Sequence, residues 1–237
     1  MECINDEVID YYNLRKAQIE SLKIEKLDPY PHFYKKEIDI KNIINKYENI
    51  ESGTRLEDLL KTVGRVLLKR WSGKKLLFYT IESDNKTLQI MCGARTYKSV
   101  DEFNKINTII HRGDIIGIEG FIGKSKRGEL SIFPVEIKLL APCLYQLPKE
   151  HFGISDIDTR ISNRYLDLIV NRDVRNNFIT RSKIISFIRN FLDNKDYIEV
   201  ETPVLDTKHG GATAKPFITY HNDLKQDMFM RIAPELK

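Results

Sequence analysis

The fold of this chain is decided by five short runs: TVGRVLLKR (62–70), LLFYTIE (76–82), KTLQIM (86–91), DIIGIEGFI (114–122) and ELSIFPVEIKLL (129–140). Each run is rich in β-branched or aromatic residues, which favour strands. Ser72-Gly73 separates the first two runs and Asp84-Asn85 separates the second from the third, and such pairs mark tight hairpin turns. A segment with a helical pattern, 99–110, precedes the fourth run.

Three strands, a helix and two more strands over this length resemble an OB-fold, a small five-stranded barrel. Alternation in the third run sends Leu88 and Ile90 to one face and Gln89 to the other. The sequence therefore predicts an α+β chain with this barrel at 56–146. The strand face of an OB-fold binds single-stranded nucleic acid.

A basic surface around one aromatic side chain is predicted on the barrel. Leu77, Tyr79 and Ile81 share one parity of the second run, so Phe78 faces water if they fill the barrel. The surrounding cations, with no acidic residue before Glu82, suit a phosphate backbone. The alternative is a solvated basic hairpin with Phe78 in the core. The cations are Lys61, Arg65, Lys69, Arg70, Lys74 and Lys75, joined by Lys124, Lys126 and Arg127 before the fifth run.

Composition bounds the class of protein. At 237 residues and 41% hydrophobic content, the chain suits one large or two modest domains. A net charge of +4 permits a polyanionic partner without requiring one. Cys3, Cys92 and Cys143 form no CxxC pair and no histidine has metal-ligand spacing, which indicates a reducing compartment and no structural zinc. Since no apolar run has the length of a bilayer span, we predict a cytoplasmic protein without a membrane partner.

The flanks are predicted as additions to the barrel. Residues 1–55 form an extension and connector: one solvated helix, a break at the prolines of DPYPHFY (28–34), and a short helix near 38–47. Prolines and a glycine mark a linker at 147–157, and a second domain is predicted at 158–237.

The second domain is predicted to begin with helices. Residues 158–170 look helical, and Asp173 is a candidate N-cap for a longer helix through Asn194. YIEVETPVL (197–205) then predicts a strand ended by Pro203, and the glycines of HGGATAKPFITY (209–220) precede another strand. The long helix carries an apolar stripe wide enough to require burial against something large. Its members are Phe178, Ile184, Ile185, Phe187, Ile188, Phe191 and Leu192.

A series of motifs carries a family resemblance. They are, in order, DPYPH, RGDIIG, GELSI, HFG, RYLDLI, YIEVETP, GGATAKPFITYHN and MRIAPELK. From about Asp28 onward the chain resembles class II lysyl-tRNA synthetases, and its barrel is similar to that family's anticodon-binding domain. The resemblance implies that the barrel is followed by the start of the family's antiparallel-sheet catalytic domain, through motif 1 to the approach to motif 2.

The resemblance implies an anticodon-reading site on the barrel. Arg70, Phe78, Gln89 and Glu129 match positions that read the anticodon in the family, with Phe78 stacking on the central uracil and Arg70 and Gln89 bonding its edge. Stacking is worth about 1–3 kcal/mol per base. The phosphate backbone is then expected at Lys69, Lys74, Lys75, Lys126 and Arg127. The implied partner is tRNA(Lys), not DNA.

The resemblance also implies part of a lysine pocket and a dimer interface. Gly211 and Glu235 match lysine-contacting positions, and Ala233 is expected to line the same pocket; glycine permits close approach and a carboxylate suits an ammonium group. Motif 1 forms the family's homodimer interface, which implies that role for Phe178, Ile185 and Pro203. ATP and Mg²⁺ are the implied cofactors, bound mainly beyond this chain, and no residue here is assigned to catalysis.

Departures from the family pattern leave alternatives open. His209 stands where a proline is usual, and Lys237 where an aromatic residue is usual. The arginines of motifs 2 and 3 are not in the sequence, so we expect this chain alone to be inactive. Residue patterns alone make Gly210-Gly211 a tight turn and Glu235 a solvated charge. An aspartyl or asparaginyl enzyme and a non-catalytic OB-fold RNA-binding protein are the alternative functions, although Glu235 suits lysine better than an acidic substrate.

Overall fold

The computed structural model describes residues 6–148 and 153–235, which divide into two units at Asp173. The predictions for Cys3, for the start of the HFG motif at His151 and for Lys237 concern residues outside these ranges. None of the helices within the described ranges is long and apolar enough to cross a bilayer.

A closed five-stranded barrel is the centre of the first unit, so the predicted fold is confirmed. Its strand order is β1-β2-β3-β5-β4, and β3 and β5 form the parallel pair. β1 begins ahead of the predicted run because its first residues pair with β4. The elements are β1 (Arg55–Trp71), β2 (Leu76–Ser83), β3 (Lys86–Gly93), α3 (Val100–Ile109), β4 (Ile115–Lys124) and β5 (Leu130–Ala141).

The turns of the barrel follow from residues that tolerate a left-handed backbone. Asp84 and Asn85 have φ values of 51° and 63°, and they join Ser83 to Lys86 as a two-residue hairpin loop. Gly73 has φ 72° between β1 and β2. The two turns keep the alternating faces of β1, β2 and β3 in register across the two hairpins.

A β-bulge in β1 shifts the alternation of its side chains by one residue, so even-numbered residues face the barrel before the bulge and the outside after it. Val66 pairs with Ile81 but Leu68 pairs with Thr80, so Leu67 is an extra residue in the ladder. Before the bulge the even-numbered Val66 is buried in the barrel. After it, the even-numbered residues of β1, such as the exposed Leu68, lie on the outer face.

The first helix packs against the barrel, and the prediction of a solvated helix was wrong. α1 spans Asp6–Ile24, and its Arg15 is only 1% exposed. The Arg15 guanidinium donates to both carboxylate oxygens of Asp114, at 2.8 and 2.9 Å. Asp114 also accepts the backbone N–H groups of His111 and Cys143, each at 2.7 Å. A buried ion pair with further hydrogen bonds thus joins the extension to the barrel.

Three shorter helices complete the first unit. α2 (Ile40–Tyr47) contributes Ile40 and Ile43 to the core. The helix predicted at 158–170 is divided at Asn163 into α4 (Ile157–Ser162) and α5 (Arg164–Val170). Asn163 has φ −116° and ψ 55°, which is not helical.

The second unit holds one long helix and a three-stranded sheet. α6 spans Arg172–Asp193, so Asp173 lies in its first turn and is not the N-cap. The prediction of a strand that ends at Pro203 was wrong: residues 197–203 are in no strand, and pairing starts after Pro203, which has no N–H to donate. The sheet has the order β6-β8-β7, with β6 (Leu205–Asp206), β7 (Ile218–His221) and β8 (Gln226–Met230).

Candidate anticodon groove and lysine pocket

A groove of about 500 Å³ lies on the outer face of β2 and β3, between the β1–β2 turn and the β4–β5 turn. It brings together the four residues that the sequence predicted to read an anticodon. Two predicted cations at the β4–β5 turn line it as well. The lining is Arg70, Trp71, Ser72, Phe78, Gln89, Met91, Ser125, Lys126, Arg127 and Glu129.

Phe78 lies in the groove and not in the core. Its neighbours Leu77 and Tyr79 are 0% exposed, whereas Phe78 is half-buried on the opposite face. This excludes the alternative in which Phe78 fills the barrel. Arg70 is opposite Phe78 in the ladder, and its guanidinium carbon is 5.5 Å from the centre of the Phe78 ring. A flat ring beside a planar cation is suited to stacking on a nucleic-acid base.

Gln89 and Glu129 form a hydrogen-bonded pair at the other side of the groove. The Nε2 group of Gln89 donates to the Glu129 carboxylate. Ser131 is buried beside them, and its hydroxyl donates to Oε1 of Gln89 at 2.8 Å. A donor and an acceptor therefore lie side by side at the groove, which suits the polar edge of an unpaired base.

The β4–β5 turn is held by bonds between its ends. The N–H of Ser125 donates to the carbonyl of Glu129 at 2.8 Å, and the N–H of Glu129 donates to the Ser125 hydroxyl at 3.1 Å. Gly128 allows the closure with φ 85°. Lys126 and Arg127 at the tip are exposed, as a contact with phosphate requires.

The predicted phosphate contacts of β1 and its turn divide into two groups. Lys74 and Lys75 are exposed in the turn. Lys69 follows the bulge and faces the inner side of β1, where its ammonium group donates to the carbonyl of Ile110 at 2.8 Å and to that of Asn107. Burial lowers the pKa of Lys69. Lys69 therefore binds the end of α3 and is not retained as an RNA contact.

The three residues predicted to contact lysine meet in the second unit. A Cβ atom placed on Gly211 would lie 2.9 Å from Cβ of Ala233 and 3.5 Å from Oε2 of Glu235. Gly211 has φ 91°, a backbone conformation that suits glycine. Ala233 is 7% exposed and Glu235 is exposed. The backbone at 211 is thus packed against Ala233 and close to a carboxylate, with no room there for a larger side chain.

The apolar stripe of α6 is exposed in the part of the chain that the structure describes. Phe178 is 45% exposed and Ile185 is 40% exposed, and Pro203 is also exposed. So many apolar side chains on one face of a helix are typical of an interaction surface. The dimer contacts predicted for these residues stay a prediction.

Sequence reasoning missed five residues at the groove. Trp71, Ser72, Met91 and Ser125 line it, and Ser131 lies behind Gln89. Two signals were available: Trp71 directly follows Arg70 at a turn, and Met91 shares the parity of Gln89 in the third run. Ser131 had no signal, since its position beside Gln89 depends on the parallel pairing of β3 and β5.

A cluster of metal-ligating side chains is not found in the part of the chain that is described. Across residues 6–148 and 153–235, no group of three or more His, Cys, Asp or Glu side chains could hold a metal ion. The Mg²⁺ that the resemblance implies therefore has no preformed set of three such ligands among these residues.

Two families of known proteins match separate parts of the chain. Residues 60–140 match the OB-fold nucleic acid binding domain of the tRNA anticodon type. Residues 156–237 match the class II tRNA synthetases of the D, K and N group. The two matches cover the predicted barrel and the predicted start of the second domain.

Three similar proteins all carry the name lysine–tRNA ligase. The lysine–tRNA ligase cla4 of Cladosporium cladosporioides is 44% identical over 233 residues, which are 95% of this chain and 39% of that protein. A probable cytoplasmic lysine–tRNA ligase of Enterocytozoon bieneusi is 39% identical across 96% of this chain and 44% of its own length. The lysine–tRNA ligase of Gloeobacter violaceus is 37% identical, with shares of 96% and 46%. The chain spans less than half of the length of each.

Proposed function

We propose that this chain, which resembles the front portion of the class II lysyl-tRNA synthetases over both of its domains, carries the anticodon-reading domain and part of the lysine pocket of a lysine–tRNA ligase. One observation supports this most strongly: Arg70, Phe78, Gln89 and Glu129 line a single groove. The proposed ligase is cytoplasmic, activates lysine with ATP and Mg²⁺, and transfers it to tRNA(Lys).

In the proposed complex the central anticodon base stacks on Phe78. The guanidinium of Arg70 and the amide of Gln89 then donate to the oxygen atoms at the edge of the base, and the carboxylate of Glu129 lies near the third base. Uracil has two carbonyl oxygens on its pairing edge, so it matches these two donors. Lys74, Lys75, Lys126 and Arg127 are the proposed phosphate contacts.

Lysine recognition is proposed at Gly211, Ala233 and Glu235. The carboxylate of Glu235 would pair with an ammonium group of the substrate, and Gly211, which has no side chain, would let the substrate approach its backbone closely. An acidic substrate would be repelled by the same carboxylate. This supports lysine over aspartate or asparagine as the amino acid of the enzyme.

A homodimer is proposed through the face of α6. The stripe that includes Phe178 and Ile185 is exposed in the chain, and burial of an exposed apolar side chain contributes about 25 cal/mol per Å². In the family this helix and the segment ending at Pro203 form the dimer interface of motif 1. A second copy of the protein would cover the stripe in the same way.

Titration with RNA hairpins tests the anticodon function. One hairpin carries the anticodon UUU and the other carries a cytosine in the central position. The proposal expects the UUU hairpin to bind at least 10-fold tighter, because a wrong base leaves groups of the groove unpaired at about 1–3 kcal/mol. Equal affinity for the two hairpins would contradict it.

Lysine-dependent ATP–pyrophosphate exchange by the full-length enzyme tests the lysine pocket. Glu235→Gln removes the charge from the proposed ion pair, so the KM for lysine should rise 10-fold or more while the KM for ATP changes little. Asp223→Asn is the matched control, since Asp223 is an exposed carboxylate of the same unit, in the turn between β7 and β8. An unchanged KM for lysine in the Glu235 variant removes Glu235 from the pocket.

A further inference from the structure

We infer that Ser131 is a specificity-determining residue: by donating to the carbonyl oxygen of the Gln89 amide, it holds the amide in the orientation that presents an N–H donor toward the base. The inference rests on the anticodon-reading function proposed above. It adds a residue that does not touch the base and acts through Gln89, and thus a positioning residue.

The position of Ser131 is set by the sheet. It lies directly beside Gln89 in the parallel pair of β3 and β5, and it is 0% exposed. Its hydroxyl oxygen is 2.8 Å from Oε1 of Gln89 and 3.1 Å from the carbonyl oxygen of Glu129. A hydroxyl has one hydrogen to donate, and the shorter distance assigns it to Gln89.

The other end of the same amide is held by Glu129. Nε2 of Gln89 carries two hydrogens, and one of them is donated to the Glu129 carboxylate. A reversed amide would place Oε1 of Gln89 against that carboxylate, with two acceptors facing each other. Ser131 and Glu129 together therefore favour one orientation of the Gln89 amide. In it the carbonyl accepts from Ser131, one N–H donates to Glu129, and the second N–H remains for a ligand.

This leftover N–H distinguishes two bases of similar shape. Uracil presents the oxygen O4 where cytosine presents the amino group N4, and an N–H of Gln89 can bond only the oxygen. If the amide were reversed, its carbonyl could accept a hydrogen bond from the cytosine amino group. The orientation that Ser131 and Glu129 hold therefore disfavours cytosine, because the leftover N–H of Gln89 would face an amino group, with two donors opposed.

A double-mutant cycle on the full-length protein tests the inference. The four proteins are wild type, Ser131→Ala, Gln89→Met and the double variant, each titrated with the UUU hairpin and the hairpin with the central cytosine. We expect Ser131→Ala to reduce the preference for uracil by about 3- to 10-fold, the range of one neutral hydrogen bond. In the Gln89→Met background, Ser131→Ala should change the preference less than 2-fold, because its effect passes through the amide.

Two further results distinguish a role for Ser131 through Gln89 from a purely structural role in the barrel. Ser131→Cys has similar size and a weak S–H donor, so it should give a smaller preference than wild type, and it replaces Ser131→Ala if that variant does not fold. An undiminished preference for uracil in a folded Ala or Cys variant, or an equal loss with and without Gln89, overturns the role of Ser131. The proposed function survives that outcome, and fails instead if wild type itself shows no preference for uracil.

Discussion

Phe78→Ala separates binding from folding, because the structure places this ring in the groove. Loss of a stacking ring should weaken binding of the UUU hairpin by about 1–3 kcal/mol, or roughly 5- to 150-fold in Kd. Phe78 is half-buried, so its removal leaves no closed cavity. We therefore expect the variant to lose less stability than the roughly 3–5 kcal/mol that truncation of a core phenylalanine costs.

The matched control is the preceding residue of the same strand. Leu77 is 0% exposed and points into the barrel, so Leu77→Ala should cost about 2–5 kcal/mol of the free energy of unfolding. At a temperature where it is still folded, it should bind the hairpin nearly as well as wild type. Phe78→Ala should therefore mainly weaken binding and Leu77→Ala should mainly lower stability, although the two residues are adjacent in sequence.

Trp71 supplies the assay. It is the single tryptophan of the sequence, it lines the groove, and its ring lies edge-on to the core residue Phe103 with 6.0 Å between the ring centres. Its fluorescence should report hairpin binding in titrations and unfolding of the barrel in urea. The reasoning is refuted if Phe78→Ala unfolds at as low a urea concentration as Leu77→Ala, or if it binds the hairpin as tightly as wild type.

Three other variants test the rest of the structure. Arg15→Met should lower the free energy of unfolding in urea by about 3–5 kcal/mol, because it leaves a buried carboxylate unpaired. Lys36→Met, which breaks an exposed ion pair, should lower it by less than about 1 kcal/mol. Similar losses in the two variants would mean that α1 is not docked on the barrel. Burial, with the charge of Arg15, lowers the pKa of His111 from 6.5 to about 4. Unfolding therefore takes up a proton in that range, and stability present above pH 6.5 is lost as the pH falls toward 4; His111→Gln should flatten this part of the profile of stability against pH, and an unchanged slope would contradict it. Gly211→Ala should raise the KM for lysine about 10-fold in ATP–pyrophosphate exchange, since the new Cβ meets a neighbour at 2.9 Å with φ 91°, while Gly210→Ala, with nothing within 4 Å of its Cβ, should not; equal values would place the substrate elsewhere.

The barrel could be predicted because its signals are local. The residues at 72–73 and 84–85 fix the two hairpins, and the parity of Leu77 and Tyr79 decides which way Phe78 points. The floor of the groove then follows, because it comes from two neighbouring strands of one hairpin, whereas the place of Glu129 was implied only by the family resemblance. These features depend on residues close together in the chain.

The features that were missed depend on residues far apart or on the loss of a regular pattern. Arg15 and Asp114 are 99 residues apart, and nothing in the charge of the first segment shows that one arginine is buried. Asn163 interrupts a helical pattern through its backbone angles, without a proline or glycine. The face of Lys69 depends on the bulge at Leu67, since one extra residue moves all later side chains to the other side.

The bulge at Leu67 limits where the length of the β1–β2 hairpin can vary among related proteins. Four residues separate it from the β1–β2 turn, and their side chains keep their faces only if that count is kept. Removal of a single residue there would exchange the outward guanidinium of Arg70 for a side chain that belongs inside. Added or removed residues should instead fall in the turn at 72–75, where a change of length leaves both strands in frame. In an alignment of related proteins, gaps in the β1–β2 hairpin should therefore fall at 72–75 and be absent from 68–71.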